Sequence, residues 1–64
     1  MKLTLIVQPD TTPDGEAGFS SLCPELDVAS QGDTPDAARE NLREALDLFL
    51  EDASPEEIQR RLSR

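Results

Sequence analysis

The chain has 64 residues, 36% of them hydrophobic and 31% charged, and its fourteen carboxylates outnumber six basic side chains to give a formal net charge of -8. A chain this short buries only about 60% of the surface it exposes when unfolded, and with Phe19 and Phe49 as the sole aromatics its limited core points to self-association as a dimer or tetramer. The acidity excludes charge-driven phosphate binding to nucleic acid and fits either plain solubility or attraction to a basic protein.

Lys2 to Gln8 alternates in the manner of a strand, with Leu3, Leu5 and Val7 on one face and Thr4, Ile6 and Gln8 on the other. Pro9 to Ala17 is rich in Pro, Asp, Thr and Gly and reads as a flexible hairpin loop. Gly18 to Cys23 is a second strand, with Phe19, Ser21 and Cys23 set against Ser20 and Leu22, and it stops at Pro24, which has no N–H for a ladder. Pro24 to Asp27 forms a turn, and Val28 to Gln31 is a short third strand.

Gly32-Asp33-Thr34-Pro35 is a helix start: glycine reaches backbone angles closed to other residues, Asp33 or Thr34 caps the first free N–H groups, and proline suits the first helical position. Ala38, Leu42, Ala45, Leu46 and Phe49 then recur at three- and four-residue spacing as one apolar stripe running to Leu50, opposite Arg39, Glu40, Arg43, Glu44, Asp47 and Glu51. Leu48 and Leu50 flank the stripe as either sheet-edge contacts or part of a subunit interface, and the interface is favoured because so short a chain has little sheet to cover both flanks. After a break at Glu51 to Ala53, Ser54-Pro55-Glu56-Glu57 is a capping box, with Ile58 and Leu62 as a thin apolar edge and Glu56–Arg60 and Glu57–Arg61 as i,i+4 pairs. The expected fold class is α+β, a three-stranded antiparallel meander with one long helix across one face and a short C-terminal helix over residues 53–64, all in one domain.

The chain holds no histidine, so the commonest general base and metal ligand is missing and Cys23 has no partner to activate it. Cys23 reads instead as a small buried strand residue, and a lone cysteine points to a reducing, cytosolic setting. Asp10 to Glu16 places oxygen ligands at alternate positions as a calcium loop does, but Pro13 interrupts it and Ser21 stands where the bidentate glutamate belongs. Glu25, Asp27 and Asp33 fall in solvated turns rather than a pocket, which favours capping over acid–base work. No catalytic group, metal site or cofactor site is expected, and Leu3 to Val7 is too short for a membrane span or a secretory core.

Gly18-Phe19-Ser20-Ser21-Leu22-Cys23-Pro24-Glu25-Leu26, then Ser30-Gln31-Gly32-Asp33-Thr34, then Ala37-Ala38 and Asn41-Leu42-Arg43-Glu44-Ala45-Leu46 resemble the HicB-like antitoxin family in order and spacing. The resemblance spans roughly Gly18 to Glu51. It implies a cut-down ribonuclease H-like fold without that enzyme's carboxylates, and a role in neutralising a small basic HicA-like ribonuclease toxin by covering its active surface. Many members carry a C-terminal operator-binding domain and a fourth strand after the helix; here Ala53 to Arg64 reads as helical, so no DNA binding by this chain alone is expected.

By charge, the candidates for contact with a basic partner are Asp10, Asp14, Glu16, Glu25 and Asp27 around the strand ends. The alternative is an orphan homo-oligomeric domain of the same type with no toxin partner.

Overall fold

A computed structural model describes residues 2–11 and 13–63. The elements run β1 (Ile6–Thr11), β2 (Ala17–Cys23), β3 (Val28–Gly32), α1 (Pro35–Asp52) and α2 (Pro55–Leu62). The strands form an antiparallel sheet in the order β1-β2-β3, with Ile6 opposite Leu22 and Leu22 opposite Ala29. This is the α+β meander expected from the alternation of apolar residues.

Strand boundaries differ from the expected ones at both ends of β1. Pairing starts at Ile6 rather than Lys2. In the same register Thr4 would face Pro24, which has no N–H to offer, so the ladder stops and a side chain takes over at Thr4. At the other end β1 runs through Pro9 to Thr11, where a loop was expected, and Pro9 pairs opposite Phe19. β1 is an edge strand, and an edge tolerates a residue that cannot donate. The connection to β2 is correspondingly tighter, and Gly15 at φ 85° supplies its left-handed bend.

The alternation itself holds. Leu3, Leu5 and Val7 are half-buried while Thr4, Ile6 and Gln8 are exposed. Ser21 and Cys23 are buried on the inner face of β2. The buried cluster joins Cys23, Leu26, Leu42 and Leu46, with Leu3, Leu5, Val28, Phe49, Leu50, Ile58 and Leu62 packed around it.

α1 starts as its sequence dictates. Thr34, with extended φ and ψ, accepts a 3.0 Å hydrogen bond from the Ala37 N–H, Pro35 takes the first turn, and Asp36 lies near the positive end of the helix dipole. The helix continues to Asp52, past the expected stop at Leu50, because the Ala53 N–H closes a last turn on the Phe49 carbonyl at 2.8 Å. Pro55 then holds Ser54 extended, and the Ser54 hydroxyl caps α2 through the Glu57 N–H at 3.2 Å. Within α2 the Glu57–Arg61 pair forms at 3.3 Å, whereas Arg60 reaches Glu57 at 4.0 Å rather than Glu56.

Gly32 is needed for a reason other than the one its position suggests. Among the described residues the glycine with positive φ is Gly15. A Cβ on Gly32 would lie 2.5 Å from the Ala38 nitrogen and 2.7 Å from the Ala37 carbonyl carbon, so the glycine lets the first turn of α1 touch the sheet. Beside it, the buried Ser21 hydroxyl donates to the Ala38 carbonyl at 2.8 Å and the Asn41 amide donates to the Gln31 carbonyl at 2.7 Å. Gly32→Ala is expected to destabilise the fold by about 1–3 kcal/mol, since backbone must move to admit the methyl. Gly15→Ala, with open space around it and only backbone conformation at stake, is expected to cost about 1 kcal/mol. Urea unfolding of both variants measures the difference.

Candidate functional site

The five acidic residues singled out for partner contact do not form one surface. Asp10, Asp14 and Glu16 belong to the β1–β2 hairpin, whereas Glu25 and Asp27 belong to the β2–β3 turn at the opposite end of the sheet.

At the hairpin end, Asp14 and Glu16 join Asp33, Gln31 and Asn41 around an open cleft of about 480 Å³ beside the start of α1. Asp10 stands apart, with its carboxylate accepting the Thr11 N–H at 2.7 Å.

At the turn end the two acids have different roles. The Glu25 carboxylate accepts the Thr4 N–H at 2.9 Å and the Thr4 hydroxyl at 2.6 Å, and the Cys23 thiol lies 3.6 Å away. These bonds hold its carboxyl down at about 2, chiefly through the Thr4 hydroxyl and then the Thr4 N–H. Glu25 is therefore a staple across the end of the β1–β2 ladder. Burial pushes the adjacent Cys23 thiol above its ordinary value, with the nearby Glu25 carboxylate acting in the same direction, so the thiol stays protonated.

Asp27 takes φ 58°, a left-handed conformation that aspartate tolerates better than most residues. It borders an open groove of about 600 Å³ between the turn, the C-terminal half of α1 and α2. Val28, Ala45, Leu48, Phe49 and Ala53 give the groove an apolar lining, and Asp52 and Glu57 add carboxylates to those of Asp27. Arg61 closes one side. Its guanidinium donates to the Leu26 carbonyl at 2.7 Å, pairs with Glu57 and stacks over the Phe49 ring, 4.6 Å from the centroid.

Leu48 and Leu50, assigned together to a subunit interface, diverge in the structure. Leu48 is 61% exposed in this groove, while Leu50 is half-buried against the core cluster. Two residues apart on a helix, they point about 200° from one another and cannot share a surface. Leu48, Asp52 and Glu57, together with Asp27, make the groove; of these, Asp52 and Glu57 were not anticipated as a binding surface, and their acidic spacing in the sequence was the available signal.

Comparison of the chain with protein-family models, curated proteins and solved structures finds no match. The arrangement of side chains is accordingly what bears on function. Among the described residues there is no cluster of three or more potential metal-ligating side chains, and no helix is long and apolar enough to cross a membrane. The hairpin cleft presents carboxylates and amides, and the turn-end groove presents carboxylates and Arg61 around an apolar floor.

The Glu25 staple makes stability depend on acid in a definite direction. Its folded value lies below the ordinary 4.5, so its contribution is complete above that pH and is lost as pH falls from 4.5 toward 2. Protonation of the exposed carboxylates of a chain at -8 relieves repulsion and acts the opposite way. Glu25→Gln is therefore expected to lower the melting temperature at pH 7 and to narrow the gap from wild type as pH approaches 2, a trend that paired thermal melts across pH will measure.

Proposed function

We propose that this chain is a non-catalytic interaction module of HicB type, which neutralises a small basic HicA-like ribonuclease by masking its active surface. The observation that carries the reading is the turn-end groove, where Asp27, Asp52 and an Arg61-paired Glu57 surround an apolar floor with Leu48 exposed, leaving an acidic excess. Apolar contact supplies affinity at such a surface, and the carboxylates steer a basic protein in and reject acidic ones. The reading is supported further by the position of the Pro24-Glu25-Leu26 turn and the Gln31-Gly32-Asp33-Thr34 lead-in, which fall between the strands and before the helix where the family resemblance requires them.

In this reading the protein is cytoplasmic, acts as a homo-oligomer and needs no cofactor. At a net charge of -8 it makes no direct contact with nucleic acid. A second reading is a homo-oligomeric domain of the same type without a toxin, and the exposed Ile6 and Leu22 on the open face of the sheet serve self-association in both readings.

Co-expression with the product of the neighbouring open reading frame distinguishes the two. The first reading expects rescue of growth and co-purification of the pair, with Asp52→Lys weakening binding by at least about tenfold in a titration of the purified proteins. Persistent toxicity together with failure to co-purify would leave the orphan reading standing.

A further inference from the structure

We propose that the open face of the sheet is the surface on which a second copy of this chain docks, sheet against sheet about a twofold axis. The inference rests on the homo-oligomeric part of the function proposed above and assigns its interface.

The sheet has one covered side and one bare side. α1 lies on the inner face, and Ile58 and Leu62 of α2 pack onto the same core. On the outer face the strand register sets out three rows. Ile6, Leu22 and Ala29 stand opposite one another in the first, and Gln8, Ser20 and Gln31 in the second. Asp10 beside Gly18 makes the third, at the margin. Ile6 is 41% exposed and Leu22 37%, an adjacent apolar pair turned to solvent on a chain with little apolar surface to spare.

Charge identifies the occupant. The rest of the molecule is charged, with an acidic excess: the outer side of α1 carries Glu40, Glu44, Asp47 and Glu51 beside Arg39 and Arg43, the hairpin carries Asp14 and Glu16, and the turn-end groove carries Asp27, Asp52 and Glu57 with Arg61 paired to Glu57. A twofold interface sets one patch against itself. Carboxylates only accept hydrogen bonds and repel their own copies, so the acidic excess on these surfaces disfavours closing them on themselves at neutral pH. Amides and hydroxyls both donate and accept, and the Gln8, Ser20 and Gln31 row can therefore pair with its own equivalent while the Ile6, Leu22 and Ala29 rows exclude water. The three rows are neutral except for Asp10, and the remaining carboxylates stand at the margins, Glu25 beside Thr4 at one end and Asp14, Glu16 and Asp33 beside Gln31 at the other, so the centre of the face admits a second copy. Packed sheets stand about 10 Å apart, a spacing that interdigitated Leu and Ile side chains fill.

Sedimentation of the full chain over a concentration series tests the assignment, with circular dichroism verifying the fold of each variant. Wild type is expected to reach twice the 7.0 kDa chain mass. Leu22→Glu should weaken the dimer by at least about tenfold. The near-isosteric double variant Gln8→Glu with Gln31→Glu, at exposed positions that leave the fold intact, should weaken it similarly and regain association at high salt as the added charges are screened. Leu48→Glu should leave the dimer unchanged. A wild-type protein that stays monomeric throughout overturns the homo-oligomeric reading and this inference together. A dimer indifferent to both outer-face variants overturns the inference alone, and one broken by Leu48→Glu moves the interface to the groove.

Discussion

The fold depends on how closely the first turn of α1 approaches the sheet at Gly32. The chain has few large apolar residues, and its largest fully buried side chains are Leu26, Leu42, Cys23 and Ser21. So small a core excludes water only if the backbones on either side come near one another. Gly32 and Ala38 remove the bulk that would keep them apart, and the Ser21 to Ala38 and Asn41 to Gln31 hydrogen bonds fix the helix once it is there. Leu42 and Leu46, one and two turns on from Ala38, then reach the cluster around Cys23.

The β2–β3 turn is the second point of closure, and it joins what the helix alone does not. Leu26 enters the core from within the turn, Glu25 reaches sideways to Thr4, and the Leu26 carbonyl receives Arg61 from α2. Pro24-Glu25-Leu26, which in the sequence is a recognisable motif with an acidic residue at its centre, is thus mainly architecture. Its neighbour Asp27 borders the groove shared with Leu48, Asp52 and Glu57, the surface proposed for partner binding. The molecule consequently presents surfaces with an acidic excess on its helices and strand ends, and a less charged centre on the bare side of the sheet. Two such surfaces suit partners of different kinds, because opposite charge governs one and self-complementarity the other.

Local chemistry alone determined the order of the elements, the alternation in β1 and β2, the caps at Thr34 and Ser54, and the stripe on α1. Each of these follows from residues within a few positions of one another, and periodicity and capping are properties of that range. The tertiary structure decided the rest. Pro9 sits inside a strand because β1 is at an edge, and Leu26 is buried although its turn reads as polar. Leu48 and Leu50 part company because core residues cover only one flank of the helix. Glu25 binds Thr4, 21 positions away, and the proposed acidic contacts fall at opposite ends of the sheet. Those outcomes depend on strand register and on which face the helix covers, and no window of neighbouring residues contains either. The sequence therefore determined what each segment is, and only the packing of distant segments decided which acids remain at the surface and which side of the sheet is left bare.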